Sequence, residues 1–283
     1  MKLSIITINR NNAKGLRMTM ESVFNQTYRD FEYIVVDGAS TDGSVDVIRE
    51  MSASLNDEMS RDKSLNDAMS FTWVSEPDTG IYNAMNKGVK MSHGEYVLML
   101  NSGDYLIDDH VLEQIIPALD GIDMIQGNTI YKLNGKEVVN RGYGRSNISF
   151  IDVMGGRFVH QASFCRRELF EKYGYFDETY RINGDTVFYA KCLGFGNATF
   201  RYINQNIAYY DMTGISTDPD GNWKELRVEE DKRYLDMYSL RMQLLLTDEE
   251  KKIKLYDKLH AHRWSWHLTM AIARIINWIH RQN

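Results

Sequence analysis

Polar residues follow the apolar segments of the first hundred residues, at the points where these segments end. Thr7 and Asn9 close the first segment, Asp37 closes the second, and Asn101 and Asp104 follow the fourth. If the segments are parallel strands, their carboxyl ends lie along one edge of a sheet, where ligands bind in open α/β proteins. Carboxylates that converge there repel one another and require a counter-charge, such as a metal ion or a bound cation.

The third apolar segment ends in Glu76 and Asp78, which add two acids to the same predicted edge. Each acid also has an ordinary structural role open to it: Asp37 as a turn former, Asp104 as the start of a loop, and the other two as solvated charges. The chain has neither a Walker motif nor a G-x-G-x-x-G fingerprint. Phosphate groups at this edge would therefore need Mg²⁺ or Mn²⁺, which one or two carboxylates can hold together with the phosphates.

The elements that must position these acids alternate along the chain. Apolar runs predict strands at 3–8, 31–38, 71–76 and 95–100, and the segments between them predict helices at 13–25, from 42 onward and at 80–92. The alternation predicts an α/β fold with a mostly parallel central sheet and helices on both faces. Shorter strands with a turn at Asn134-Gly135 follow residue 121, and the chain is predicted to be mostly helical from residue 221.

Composition excludes several classes of protein. The chain has 283 residues, 43% of them hydrophobic, which is enough for one large domain with an appendage. A net charge of −6 gives no case for a nucleic-acid partner. Cys165 and Cys192 have no zinc-site spacing and are predicted to be reduced packing residues. The sequence has no signal-peptide pattern and no apolar run long enough to span a membrane, so we predict a cytoplasmic protein.

Three long motifs carry a family resemblance. SVFNQTYRDFEYIVVDGASTDGS is similar to the opening of family 2 glycosyltransferases, which have the GT-A fold. SEPDTGIYNAMNKGVKMSHGEYVLMLNSGDYL resembles the branch that builds bacterial surface polysaccharides such as O-antigen, and HQASFCRRELFEKYGYFDETYRINGD resembles its acceptor-side half. The resemblance covers residues 2 to about 195. It implies a catalytic domain at 1–212, divided into a nucleotide-sugar half (1–120) and an acceptor-side half (121–212), and a C-terminal helical extension at 213–283.

The resemblance implies roles for particular residues. Donor contacts fall on Thr7, Asn9, Asp37, Asp78, Asn83, Lys87 and Asn101. Thr7 and Asn9 take the positions that contact base and ribose, and Asp37 takes that of the base-binding Asp, although many members have two acids where this chain has Asp37-Gly38. For Asn83 and Lys87, an ordinary place on a helix surface is the open alternative.

The family's Asp-x-Asp metal motif aligns with Asn101-Ser102-Gly103-Asp104, in which the first acid is Asn and the middle one is Gly. Asp104 is therefore the one obvious ligand for Mg²⁺ or Mn²⁺, and the Asn101 amide oxygen can also ligate a hard cation. Asp185, in FDETYRINGD, takes the position of the general base. A second acid two residues further on, present in many members, is replaced by Val187. Capping of the following helix is the alternative role for Asp185, and the two roles are compatible.

His160 and Gln161 align with a His-Gln pair on the acceptor side. The implied activity is inverting transfer of a hexosyl or N-acetylhexosaminyl group from a nucleotide-diphosphate sugar, a UDP-sugar, to a glycan or lipid-linked acceptor in surface polysaccharide synthesis. Two alternatives stay open. One is a catalytically weak nucleotide-sugar-binding scaffold, which the reduced metal motif and the missing second acid at Val187 favour. The other is a nucleotidyltransferase, whose triphosphate loop INRNNAKG matches poorly.

The C-terminal segment has a charge of its own. Residues 251–283 carry seven Lys or Arg and one acid, a net +6. Ile272, Ile275, Ile276 and Ile279 recur at helical spacing, which predicts an amphipathic helix at the inner face of a cell membrane. Packing against the domain or against a second copy in a homo-oligomer is the alternative. The near-repeat SLNDEMS and SLNDAMS, within 54–70, predicts a polar surface insertion.

Overall fold

The computed structural model of the chain describes residues 1–61, 69–149, 152–153, 158–212 and 223–246. Its strands are β1 (Leu3–Asn9), β2 (Phe31–Asp37), β3 (Met69–Ser75), β4 (Tyr96–Met99), β5 (Tyr105–Leu106), β6 (Met124–Leu133), β7 (Lys136–Asn140), β8 (Ser163–Arg166) and β9 (Phe200–Tyr209). Its α-helices are α1 (Ala13–Phe24), α2 (Ser44–Arg61), α3 (Ile81–Met91), α4 (Val111–Ile115), α5 (Glu168–Tyr173), α6 (Gly184–Ala190) and α7 (Trp223–Leu246). These elements confirm the predicted α/β fold.

All the described strands belong to one sheet, in the order β3-β2-β1-β4-β8-β6-β9-β5, with β7 paired to β6. The strands β1 to β4 are parallel, as predicted. The second half adds antiparallel pairs of β8 with β4 and β6, and of β5 with β9. The predicted turn at Asn134-Gly135 joins β6 to β7, and both of its residues have positive φ, as a tight hairpin turn requires.

Helices cover both faces of the parallel half of the sheet. On one face, Leu16 and Met20 of α1 pack with Ile5 and Tyr33 in the hydrophobic core. On the other face, α3 lies so close to β1 that a Cβ on Gly88 would come within 2.3 Å of Ile6 Cγ2. Because both faces are covered, every residue of β1 and β2 is buried, and these strands are apolar without a strict alternation.

The sheet also brings distant segments together at one end. The short strand β5 pairs with β9 through Tyr105 opposite Tyr209, and the two rings stack with centroids 5.0 Å apart. This pairing places the residues that follow β9 beside the residues that follow β4. Cys165 and Cys192 are buried free thiols, in agreement with the predicted packing role.

The remaining predictions concern the insertion and the C-terminal segment. Helix α2 runs through Arg61 into the near-repeat, whose residues 62–68 lie outside the described part of the chain. The chain divides into two compact units, Met1–Arg227 and Val228–Asn283. The predicted amphipathic helix that includes residues 272–279 also lies outside the described residues. The boundary predicted at residue 212, between the catalytic domain and the C-terminal extension, stays a prediction. Among the described helices, none is both long and apolar enough to cross a membrane.

Candidate active site

The carboxylate of Asp37 joins the ends of three parallel strands. Its Oδ1 accepts hydrogen bonds from Asn9 Nδ2 at 2.8 Å and Ser40 Oγ at 2.6 Å. Its Oδ2 accepts from Ser75 Oγ at 2.6 Å and from the Ser40 backbone N–H at 3.0 Å. Burial raises the pKa of Asp37, but the bonds from Ser40, Ser75 and Asn9 outweigh burial and lower it. Four donors from within the protein therefore occupy this carboxylate and hold the loop after β2 against the strand ends.

Asn9 and Thr7 differ in what they offer to a ligand. The Asn9 Oδ1 atom is buried and has no hydrogen-bond partner in the described structure, so it is an acceptor available at the strand end. Thr7 is fully buried, and its hydroxyl donates to the Leu100 carbonyl at 2.7 Å and accepts from Tyr33 OH at 3.0 Å. The structure gives Thr7 a role in joining strands, and its contact with base or ribose stays a prediction.

Asp78 fills the space beside Gly38. A Cβ on Gly38 would lie 2.2 Å from Asp78 Oδ2, closer than real Cβ atoms approach other atoms. The Asp78 side chain is 5% exposed, and Arg10 Nη1 lies 3.7 Å from its Oδ1. The position where many family members have a second acid is thus glycine here, and a carboxylate from the segment after β3 lies against it. A contact between Asp78 and the donor stays a prediction.

Asn83 and Asn86, on consecutive turns of α3, hold the Glu178 carboxylate. Asn83 Nδ2 donates to Glu178 Oε2 and Asn86 Nδ2 to Glu178 Oε1, both at 2.9 Å. Asn86 also exchanges two hydrogen bonds with the backbone of Phe176. The bonds from Asn86 and Asn83 lower the pKa of Glu178. Asn83 therefore joins α3 to the acceptor-side half, and a contact between Asn83 and a nucleotide stays a prediction.

Lys87 supports the loop that carries Asp78. Its Nζ lies 2.8 Å from Glu76 Oε1 and donates to the Pro77 carbonyl at 2.8 Å. Lys87 is half-buried in this arrangement, and the contacts of its charged group are with the loop. A contact between Lys87 and a bound nucleotide stays a prediction.

Asp185 lies in the first turn of α6 and faces the end of β4. Its Oδ2 is 3.0 Å from His160 Nδ1, and its Oδ1 accepts from Tyr82 OH at 3.2 Å and from the Thr186 backbone N–H at 2.8 Å. The N-cap of α6 is Asn183, so Asp185 does not take the alternative capping position. A carboxylate in the first turn is favoured by the helix dipole.

His160 lies between Asp185 and Asn101. Its Nε2 is 3.2 Å from Asn101 Nδ2, which makes a continuous chain of contacts from the acceptor-side half to the end of β4. Burial lowers the pKa of His160, but its hydrogen bond to Asp185 and the charges of Asp185 and Asp104 outweigh burial and raise it. The imidazole is thus held between acidic groups in the interior of the site.

Asp104 is 4% exposed and lies close enough to His160 for its charge to raise the pKa of the imidazole. Its Oδ1 accepts a hydrogen bond from the Asp211 backbone N–H at 2.9 Å, and the Gln161 side chain also bonds to it. Burial raises the pKa of Asp104 to about 7, and the nearby charge of Asp211 adds to the rise. Asp211 was not identified from the sequence, because no motif marks it and only the pairing of β9 with β5 brings it here.

The residues at this end of the sheet fit a hard cation. Asp104 and Asp211 supply two neighbouring carboxylates, and Asn101 Oδ1 is a buried oxygen without a hydrogen-bond partner. No group of three His, Cys, Asp or Glu side chains in the described part of the chain is arranged to hold a metal by itself. Mg²⁺ in substrate sites is commonly held by one or two carboxylates together with substrate phosphates, and this donor set is compatible with a site of that kind.

Curated relatives of this chain are glycosyltransferases by name. The PGL/p-HBAD biosynthesis glycosyltransferase of Mycobacterium tuberculosis is 27% identical over 219 residues, which are 75% of this chain and 77% of the relative. A second M. tuberculosis protein, named as an uncharacterized glycosyltransferase, is 31% identical over 234 residues, which are 80% of this chain and 81% of the relative.

Solved structures share the fold at low sequence identity. Residues 1–349 of S. aureus TarS superpose with a TM-score of 0.59 at 20% identity, over 75% of this chain and 61% of that one. The mannosyltransferase PcManGT from Pyrobaculum calidifontis, solved with GDP-Man and Mn²⁺, superposes with a TM-score of 0.55 at 17% identity, over 81% of this chain and 60% of that one. The chain therefore spans about three fifths of these two structures.

The match to a family model covers most of the chain. The model described as glycosyl transferase family 2 matches residues 4–220, a range that includes every residue of the site described above. The family model, the named relatives and the solved structures all identify glycosyltransferases. The chain belongs to glycosyl transferase family 2 and is a glycosyltransferase.

Proposed function

We propose that this glycosyltransferase moves a sugar from a UDP-sugar to an acceptor hydroxyl with inversion, and that Asp185 is the general base. The observation that carries the proposal is the chain of contacts from Asp185 through His160 to Asn101, which aligns the acceptor-side acid with the donor edge of the sheet. The fold neighbour TarS has been solved with UDP and with UDP-GlcNAc, which supports a UDP-sugar as the first donor to test.

The geometry gives Asp185 one oxygen suited to accept a proton. Oδ1 has two hydrogen-bond donors, Tyr82 and Thr186, whereas the one contact at Oδ2 is with His160. The Asp185 side chain is 15% exposed, so a hydroxyl group can reach it. As the acceptor oxygen attacks the anomeric carbon, the bond from that carbon to the diphosphate breaks and the hydroxyl proton passes to Asp185. General-base catalysis of this kind contributes about 10²–10⁴-fold.

The donor edge would position the leaving group. Asn101 and Asp104 would hold a divalent cation. The cation, when bound, supplies positive charge to the diphosphate as it leaves. Asn9 Oδ1 is a buried acceptor beside the strand ends and is suited to a donor group of the base or ribose. Asp37 would act by holding Asn9 and the loop after β2 in place, since four donors already occupy its carboxylate.

The absence of a second acid at Val187 does not favour the scaffold alternative. Val187 is 1% exposed, so its side chain packs in the interior instead of facing the site. Residues two apart on a helix point in different directions, and a carboxylate at 187 would not lie beside that of Asp185. Asp185 with its partner His160, and Asp104 at the donor edge, are retained in this chain, and they support catalysis over a scaffold role.

The acceptor that we propose is a lipid-linked glycan. Support comes from the relative whose name places it in PGL/p-HBAD biosynthesis, and from the +6 charge of residues 251–283, which suits an anionic lipid surface. Co-sedimentation of the full chain with anionic vesicles, compared with neutral vesicles, tests the surface contact. Equal recovery with both kinds of vesicle would contradict it. A homo-oligomer stays a prediction.

The test of the catalytic proposal compares three proteins in a UDP-release assay with a panel of UDP-sugars and Mn²⁺. Asp185→Asn should lower turnover by at least about 10²-fold, while calorimetry shows UDP binding within a few-fold of the wild type. The control is Glu171→Gln, which removes an exposed acid paired with Arg167 on α5 and should leave turnover unchanged. Full turnover by Asp185→Asn would refute the role of Asp185.

A further inference from the structure

Two glycines of this chain stand where a second acid is expected, and each has a carboxylate from another segment against it. The first is Gly38 with Asp78. The second is Gly103, where a Cβ would lie 2.6 Å from Asp211 Oδ2. Gly103 has a φ of +105°, a conformation that favours glycine, so the turn and the missing side chain together leave room for Asp211. The space of an acidic side chain at 103 is therefore occupied by an acid from position 211.

The position of Asp211 is fixed by its own backbone. Its N–H donates to Asp104 Oδ1 at 2.9 Å, and the pairing of Tyr209 with Tyr105 holds the preceding strand against the same turn. The turn itself is closed by the Asp104 N–H, which donates to the Asn101 carbonyl at 3.0 Å. Hydrogen bonds thus link Asp104 to both Asp211 and Asn101, although 107 residues separate the two acids.

The chemistry of this unit calls for a positive charge. Asp104 is almost without solvent, and the Asp211 side chain adds negative charge beside it, which a shared cation would offset. The buried Asn101 Oδ1 atom has no hydrogen-bond partner in the described structure and needs a donor or a metal ion. Oxygen ligands of this kind suit Mg²⁺ and Mn²⁺.

We propose that Asp211 is the second acidic ligand of the divalent cation, and that it replaces in space the acid missing from the metal motif at Gly103. This inference rests on the proposed function, since the cation is the one that would accompany the nucleotide donor. A ligand at Asp211 would also explain how a metal motif in which Asp104 is the one remaining acid can still bind a metal ion.

The test measures Mn²⁺ binding directly, by the loss of the free Mn²⁺ signal in electron paramagnetic resonance, with UDP present. Asp211→Asn should weaken Mn²⁺ binding by at least about tenfold, since even outer-shell partners of a metal contribute that much. The control is Asp108→Asn, the same change at an exposed acid near the same turn, whose Oδ1 accepts from the His110 N–H. It should bind Mn²⁺ as the wild type does.

A third variant separates ligation from a structural role. In the Asp211→Asn variant the short side chain that turns favour is preserved, whereas in Asp211→Glu the negative charge is preserved. If Asp211 is a ligand, Asp211→Glu retains more Mn²⁺ affinity than Asp211→Asn, with melting by circular dichroism confirming that both fold. If Asn is as good as the wild type, or better than Glu, the inference is wrong.

Failure of the inference is distinguishable from failure of the proposed function. Wild-type protein that binds Mn²⁺ with UDP, together with an Asp211→Asn variant of equal affinity, overturns the role of Asp211 alone. Wild-type protein that binds UDP and transfers sugar equally well in the presence of a chelator overturns the cation site and this inference, but leaves Asp185 as base. Wild-type protein that binds no UDP overturns both.

Discussion

The Nδ1 atom of His160 lies 3.0 Å from Oδ2 of Asp185. This contact orients the proposed base, because His160 is held on its other side by Asn101. We therefore expect His160 to position the proposed base, and its predicted place beside the acceptor stays a prediction. Gln161 lies next to it but bonds to Asp104, so the two residues of the pair support opposite halves of the site.

Removal of the imidazole should lower catalysis more than binding. We expect His160→Ala to lower kcat by roughly 10- to 100-fold, part of the contribution of general-base catalysis. His160→Gln, whose amide can donate to Asp185, should recover part of the loss. Steady-state kinetics measures the change in kcat, and calorimetric binding of UDP serves as the control. A kcat for His160→Ala within about twofold of the wild-type value would contradict the positioning role.

The four hydrogen bonds of Asp37 predict a large effect on stability. In Asp37→Asn, an amide NH₂ group replaces one acceptor oxygen, and the donors that faced this oxygen lose their partner. We expect the free energy of unfolding to fall by about 3 kcal/mol, a typical value for bonds to a charged group. Urea unfolding checks this. Asp46→Asn, at an exposed acid of α2 paired with Arg49, should change stability by less than about 0.5 kcal/mol.

Gly103 should be intolerant of a side chain for two separable reasons. Gly103→Ala brings backbone strain at φ +105° and a contact of 2.6 Å with Asp211 Oδ2. Gly121 has a φ of +102° and no atom within 4 Å of its Cβ position, so Gly121→Ala brings the strain alone. We expect Gly121→Ala to cost about 1–3 kcal/mol and Gly103→Ala to cost more, measured by urea unfolding. Equal losses would show that Asp211 is free to move aside.

Glu32 should contribute a pH-dependent part of the stability. Burial raises the pKa of Glu32, but hydrogen bonds from Ser4 and His93 outweigh burial and lower it below the ordinary 4.5. A lowered folded-state pKa stabilises the protein above the unfolded pKa, and this stabilisation is lost as the pH falls through the folded pKa. The difference in unfolding free energy between wild type and Glu32→Gln should therefore shrink as the pH is lowered below 4.5. A difference in unfolding free energy that stays constant across that pH range would contradict the lowered pKa of Glu32 in the folded protein.

Much of the site was predictable because its signals are local. A strand followed by polar residues marks the donor edge whatever the rest of the chain does, and the motifs around Asp37, Asp104 and Asp185 each lie within one short segment. Parallel pairing of β1, β2 and β4 then brings the strand ends together, as the alternation of strands and helices indicated.

Burial within those segments was not predictable in the same way. Thr7 and Asn9 are two residues apart on one strand, and the sequence assigned them the same kind of role. Both faces of β1 are covered, so alternation gives no signal, and only the packing shows that the Thr7 hydroxyl is used by Tyr33 and Leu100 while Asn9 Oδ1 is left available.

The sequence by itself determined the family, the polar residues that end each strand and the motif that contains Asp185. Each of these depends on residues that are close together in the chain. Only the tertiary structure decided which distant groups meet: Asp211 with Asp104, His160 with Asp185, and Glu178 with Asn83. The first and third of these contacts join the two halves of the catalytic unit, and the second lies within the acceptor-side half. They span 25 to 107 residues, a separation over which residue spacing carries no information.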